Sequence, residues 1–244
     1  MNRYLIIPIF TLLVTFLMSA CTTDSAPVAN EEMMMVFQET EPGTEPFFTR
    51  MLVSKSHMRL DEGDDSSDYT LLDRDNQLIY TVTHGQKRIM QISPRETENK
   101  IEQELVMDAK KLKDSDIPEI EGQQPMHYQL KVNDKVCSDV YVIKDFCPLA
   151  ESALREFSRI LSSIHLANMH NTPVEMLDDC FLAHDVKASA RHLQFGFPIL
   201  QRNENGSSRL LVDYDRNYKP TENIFKLPDS YRMTDMSGAP LETS

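Results

Sequence analysis

The chain has no tryptophan, and only 7 of its 244 residues are glycine. Scarce glycine argues against loops that cradle phosphate with bare backbone. No Gly-x-Gly-x-x-Gly fingerprint, P-loop or Gly-x-Ser-x-Gly elbow occurs. Basic residues are also short, with 25 Lys and Arg against 38 Asp and Glu, for a formal net charge of −13. Nucleic acid is bound by neutralising phosphates with Lys and Arg, and anionic lipid surfaces call for polybasic clusters. Neither partner fits this composition, whose acidity serves solubility first.

The N-terminus supplies the first positive signal. Met1-Asn2-Arg3-Tyr4 carries one basic residue, and an apolar run from Leu5 to Leu17 follows, broken by Pro8, Thr11 and Thr15. The run is shorter than the roughly 20 residues of a membrane-spanning helix and matches the about 7–15 of a signal-peptide core. Met18-Ser19-Ala20 then places small residues before Cys21. This segment resembles the bacterial lipobox, with Met18 where the pattern prefers Leu. The resemblance implies cleavage after Ala20 and lipidation of Cys21. A free thiol at that position would be exposed to oxidation outside the cytoplasm. Acyl chains contribute about 0.8 kcal/mol per buried CH₂, and more than one is needed for stable anchoring. Thr22, rather than Asp, follows the cysteine, which by similarity to enterobacterial sorting implies the outer membrane with the domain facing the periplasm. The expected organisation is a signal peptide over 1–20, a polar tether over 21–31, a single domain over 32–232 and a frayed tail over 233–244.

Three cysteines remain: Cys137, Cys147 and Cys180. In an oxidising compartment two of three are expected to pair. Cys137–Cys147 is favoured slightly, because the two flank a short apolar segment, with Cys147–Cys180 close behind.

Most of the chain alternates with period two. Leu78, Tyr80 and Val82 interleave with Ile79, Thr81 and Thr83; Met126, Tyr128, Leu130 and Val132 with polar neighbours; and Leu193, Phe195, Phe197 and Ile199 alternate again. Such patterning reads as strands, and Asn133-Asp134 as a hairpin turn. The acidic run Asp61–Asp68 reads as a solvated hairpin tip without the spacing of a calcium loop. Ile101, Leu105, Ala109 and Leu112 have helical spacing, so 95–116 is expected to form an amphipathic helix. Pro148 opens a clearer helix, with an apolar stripe from Ala150 through Ala153, Leu154, Phe157, Ile160 and Leu161 to Ile164. Thr172-Pro173-Val174-Glu175 has the form of a capping box before another helix. The expectation is an α+β fold: a curved, half-barrel-like antiparallel sheet with two or three covering helices.

That order of elements is similar to the lipoprotein-carrier fold of the bacterial periplasm, a half-barrel with a helical lid, and to uncharacterised exported proteins. The shared features are Phe225, Pro228 and Tyr231; Cys137-Ser-Asp-Val-Tyr-Val; Phe146-Cys147-Pro-Leu-Ala before a helix; and Gly196-Phe197-Pro198. They cover roughly residues 45–232. The resemblance implies an apolar groove between sheet and helices and no catalytic residues.

No enzyme constellation stands out, and no cofactor or metal is implied. His165 and His170 near Asp178 and Asp179 read as a helix end and a capped helix start. Cys180 and His184 have the i, i+4 spacing of two ligands but lack further donors. Met33-Met34-Met35, Met51, Met58 and Met90 suit a core or an adaptable apolar lining better than a Cu(I) site. The leading expectation is a non-enzymatic protein binding a lipid or acyl chain. Its lining would be Phe48, Leu52, Leu78, Tyr80, Val82, Tyr128, Leu130, Leu193, Phe195 and Phe197, with Phe157 and Ile160 from the covering helix. The alternative is an acidic module with a filled core that engages a protein partner of the envelope; an enzyme using His165, His170 or Cys180 comes last.

Overall fold

A computed structural model describes residues 32–96, 103–113, 116–169, 173 and 177–241. The first six strands are β1 (Met33–Thr40), β2 (Phe47–Val53), β3 (His57–Asp61), β4 (Tyr69–Asp73), β5 (Leu78–Thr83) and β6 (Arg88–Ile92). They form a meander in which each pairs antiparallel with the next. A second meander comprises β7 (Met107–Lys111), β8 (Met126–Val132), β9 (Lys135–Ile143), β10 (Phe197–Asn203) and β11 (Ser208–Asp215). Pairing of β1 with β11 joins the two, and β12 (Arg232–Thr234) adds a parallel edge to β6. The result is one sheet of 12 strands in the order β12-β6-β5-β4-β3-β2-β1-β11-β10-β9-β8-β7.

This corrects the α+β half-barrel expectation: the fold is a large, mixed, β-rich sheet carrying, among the described residues, one long helix. Residues 107–111 do not extend a helix; they pair with β8, Met107 opposite Val132 and Lys111 opposite Tyr128. Edge pairing satisfies backbone groups that helical spacing of a few apolar residues could not outweigh, and Lys110 and Lys111 guard the outer edge. Ile101 lies outside the described residues, as do Thr172, Val174 and Glu175. The helix expected after Thr172 appears only as α2 (Asp179–Phe181), running into a wider π-type turn over Leu182–Lys187. Asp178 caps α2 by accepting from the Cys180 and Phe181 N–H groups. Residues 225–231 form irregular turns. Beyond them Met233 and Thr234 pair with β6, and the Leu241 N–H donates to the Met233 carbonyl, so the segment expected as a frayed tail is bonded as far as Leu241.

The long helix α1 (Pro148–Asn168) starts with proline at its first position and buries Ala150, Ala153, Ile160 and Ile164. It lies on one face of the sheet, in a single apolar core with Met35, Phe37, Met51, Val53, Met58, Leu72, Ile79, Phe197, Ile199 and Leu211. Arg74, between β4 and β5, fixes it with two hydrogen bonds to Glu156, of 2.9 and 2.7 Å, and one to Ser152. Two residues with positive φ, Asn133 and Asp134, make the expected turn between β8 and β9. Gly196 precedes β10 at φ 134°, and a Cβ there would sit 2.7 Å from the Ile143 carbonyl oxygen, so only glycine lets β10 approach β9.

The opposite face is covered by the C-terminal segment. Phe225, Leu227, Tyr231 and Met233 pack on Tyr69, Leu71, Tyr80, Val82 and Ile89. Beside this cluster, Asp61 accepts from Arg50 (2.8 Å, both nitrogens) and Arg59 (2.7 Å), with its carboxylate fully buried. Arg59 also donates to the Ile224 carbonyl and stacks on Tyr69 at 3.8 Å. Burial alone would raise the Asp61 pKa; hydrogen bonds from Arg50, the Gly63 N–H and Arg59 overcome that and lower it. The first residue of the acidic run is thus a buried anchor, not part of a solvated tip. Asp61→Ala leaves two guanidiniums short of a buried partner and is expected to cost about 3–5 kcal/mol. Asp64→Ala, on the exposed turn, should leave the urea midpoint nearly unchanged. Urea midpoints of the two variants check the contrast.

Candidate functional site: the cleft beneath helix α1

Beside the buried stripe of α1 stand Leu154, Phe157 and Leu161, which are only partly buried. A cleft of about 220 Å³ opens between these side chains and Phe37, Leu60 and Pro198. One end is polar, formed by Ser158, His192, Gln201 and Arg209. There it continues, through Ser158, His192 and Gln201, into a wider space of about 480 Å³ bounded by the Cys137–Cys180 bridge, Asp178, His184 and Glu204.

Arg209 is the unusual member. Strand register sets it directly opposite Glu39, and its guanidinium lies 3.9 Å over the Phe37 ring. Its Nε is 3.2 Å from Glu39 Oε1, yet neither Nε nor one terminal nitrogen has a hydrogen-bond partner. Burial raises the Glu39 carboxyl while Arg209 pulls it down, with a net rise. Burial also depresses both neighbouring imidazoles. His192 falls to about 4, helped by His184, Arg209 and Arg155, and His184 falls to about 4, helped by Arg191. Both are therefore neutral at pH 7, and the His184 Nε2 is buried without a partner.

The residues expected to line a groove fall in several places. Phe157 is on the cleft wall; Ile160 and Phe197 are in the core beside it, Phe197 with its ring 6.4 Å from Phe37. Leu78, Tyr80 and Val82 face the other side, beneath the C-terminal segment. Leu52 is fully buried in the same register position as Arg59, away from α1. Tyr128 and Leu130 belong to a separate cluster with Val140 and Val142, where Tyr128 stacks on Phe195 at 4.4 Å. Leu193 is buried in a 3-10 turn (Arg191–Phe195), its carbonyl accepting from Arg155. Phe48 is 53% exposed. Alternation identifies two faces of a strand, and both faces here are covered, so apolar residues on either look alike in sequence. Arg209 was missed; its signal is a charge in phase with Leu211, a core residue of the same strand.

The disulfide joins Cys137 to Cys180, with Cα atoms 5.4 Å apart, which corrects the Cys137–Cys147 pairing. The turn of β8 and β9 brings Cys137 to α2, whereas Cys147 starts α1 in the core. Cys147 is a buried free thiol, pushed up by burial to about 11, and hence unreactive. Asp178, Cys180 and Glu204 approach one another within 4.8 Å. Cys180 is already bridged, and both carboxylates pair with Lys135, so the group is not a metal site. His165 contacts the Asp185 carbonyl and the Phe181 ring, while Asp179 accepts from Gln103 and Asn133. His170 and Cys21 lie outside the described residues.

Comparison of the sequence with family models and with curated proteins finds no match. Among solved structures, the chain is similar to an uncharacterised conserved protein from Thermus thermophilus, at 11% identity and a TM-score of 0.43, covering 84% of this chain and 91% of that one. It is also similar to PNGF-II, at 10% identity and a TM-score of 0.39, spanning 30% of that longer chain.

Both depressed histidines give a signed pH dependence. Between about pH 6.5 and 4 the unfolded chain binds protons that His184 and His192 do not, so stability falls as pH drops through that window, by on the order of 1–3 kcal/mol for each residue. Urea unfolding at pH 7 and pH 4.5 should show the loss, and His192→Gln should reduce it; an unchanged difference would contradict this assignment.

Proposed function

We propose that the chain is a non-enzymatic, lipid-anchored protein of the bacterial cell envelope, held at the outer membrane through Cys21 and facing the periplasm. Its mature domain binds an apolar or amphipathic molecule, a lipid or acyl chain, between the sheet and α1. The observation that carries this reading is the cleft itself. Phe37, Leu60, Leu154, Phe157 and Leu161 bound an open space of about 220 Å³ at the margin of the principal core, where the last four are only partly buried. An apolar pocket with a few convergent polar groups is the usual form of a small-molecule site. The lipobox-like segment agrees with a protein working beside a membrane. Among the described residues no helix is long and apolar enough to cross one.

The test uses the mature chain with Cys21→Ser, titrated with a fluorescent fatty acid. Phe157→Asp places a charge on the apolar wall and should weaken binding by at least about 10-fold, or 1.4 kcal/mol, with the fold verified by circular dichroism. Phe48→Asp, at an exposed site, should leave affinity unchanged. Wild-type protein that binds no fatty acid, or a folded Phe157→Asp protein that binds as well as wild type, would overturn the reading.

A further inference from the structure

The cleft is chemically asymmetric, and its polar end bears on the class of ligand. Beyond the apolar walls stand Arg209, His192, Gln201 and Ser158, all bordering the same space. Arg209 is cationic near neutral pH, although burial lowers its pKa against the opposing pull of Glu39. It has two buried N–H-bearing nitrogens without acceptors, although a buried donor ordinarily finds one. Glu39, its neighbour across the strand pair, approaches Nε at 3.2 Å without making a hydrogen bond and leaves the terminal nitrogen unsatisfied. His192 and His184 add neutral imidazoles, and Arg155, nearby, is already engaged by Glu151 and the Leu193 carbonyl. Of the charged groups named around this end, Arg209 therefore combines a cationic charge with a position on the cleft wall, its Nε and one terminal nitrogen being buried without acceptors.

From this we infer that the cleft selects an amphiphile with an anionic head, a carboxylate, whose oxygens accept from Arg209 while Gln201 and Ser158 border the head and the alkyl chain lies among Phe37, Leu60, Phe157 and Leu161. The inference rests on the apolar-cleft reading and adds the head-group chemistry to it. Glu39 opposes the ligand's charge. Its carboxyl is the counter-charge that holds Arg209 when the site is empty, so neutralising it should strengthen binding.

Isothermal titration of the mature Cys21→Ser protein with octanoate, octanol and inorganic phosphate separates the contributions. Hydrogen bonds to a charged group predict octanoate binding about 10- to 100-fold tighter than octanol. Arg209→Gln should erase that preference and Arg209→Lys should retain part of it. Glu39→Gln should tighten octanoate severalfold and leave octanol unchanged, an opposite-signed effect that loss of structure cannot imitate. Equal affinity for octanoate and octanol, unaffected by Arg209→Gln, would overturn the head-group assignment and leave the apolar cleft standing. Phosphate binding without octanoate binding would overturn it in favour of a plain anion site. Binding of neither amphiphile would remove the apolar-cleft reading and this inference together.

Discussion

The antiparallel pairing of β1 with β11 is the contact on which the rest of the molecule depends. It unites two meanders that are each built from sequence neighbours, and it bridges more than two-thirds of the chain, from Met34–Thr40 to Ser208–Asp215. The core beneath α1 draws on both halves, with Met51, Met58 and Leu72 from the first and Phe197, Ile199 and Leu211 from the second. The same register sets Glu39 against Arg209 and Phe37 against Leu211, and the irregularity between Val36 and Phe37 lies beside that pair. A site-forming cation and the core under the helix are thus consequences of one strand alignment. Pairing at such sequence separation carries a loop-closure cost, and it is the kind of contact that slows folding.

The cleft follows from how a single helix meets so wide a sheet. Near its start, Ala150 and Ala153 let α1 sit close to the strands. Leu154, Phe157 and Leu161 flank that contact, and the strand residues across the cleft from them include Arg209 and Gln201 as well as apolar side chains. A guanidinium cannot be packed over as a methyl group can, because desolvating it without partners is costly. The polar end therefore stays open towards the space beside the Cys137–Cys180 bridge. On the other face the problem is solved differently: Asp61 satisfies Arg50 and Arg59, and the C-terminal segment closes over them.

Much of the sheet was legible in the sequence. Alternation located β5, β8 and the turn at Asn133-Asp134, and the stripe after Pro148 located α1; at 193–199 it caught only the start of β10, since Leu193 and Phe195 lie in a 3-10 turn. What the sequence did not disclose was sidedness. Leu78, Tyr80 and Val82 and their partners on the reverse face are both covered, so the pattern gave no reason to choose the inner set. Local spacing also misled at 107–111, where helical placement of Leu105, Ala109 and Leu112 yielded to pairing with β8, a contact set by distant residues. The disulfide depended on the return of α2 to the β8–β9 turn, which no spacing of cysteines encodes. Phe157, at the centre of the apolar stripe, was found as a wall of the cleft. Arg209, which lines the polar end of the cleft, was overlooked, although its phase with Leu211 pointed inwards.

The central claim is that the space beneath α1 is a ligand site and not a packing defect. Native mass spectrometry of the mature Cys21→Ser protein, exported to and purified from the periplasm, tests it most directly. The account predicts an added mass at near one-to-one stoichiometry that solvent extraction removes and identifies as an amphiphile with an acidic head. Protein at bare sequence mass, lacking only the two hydrogens of one disulfide and binding no amphiphile when supplied, would contradict it.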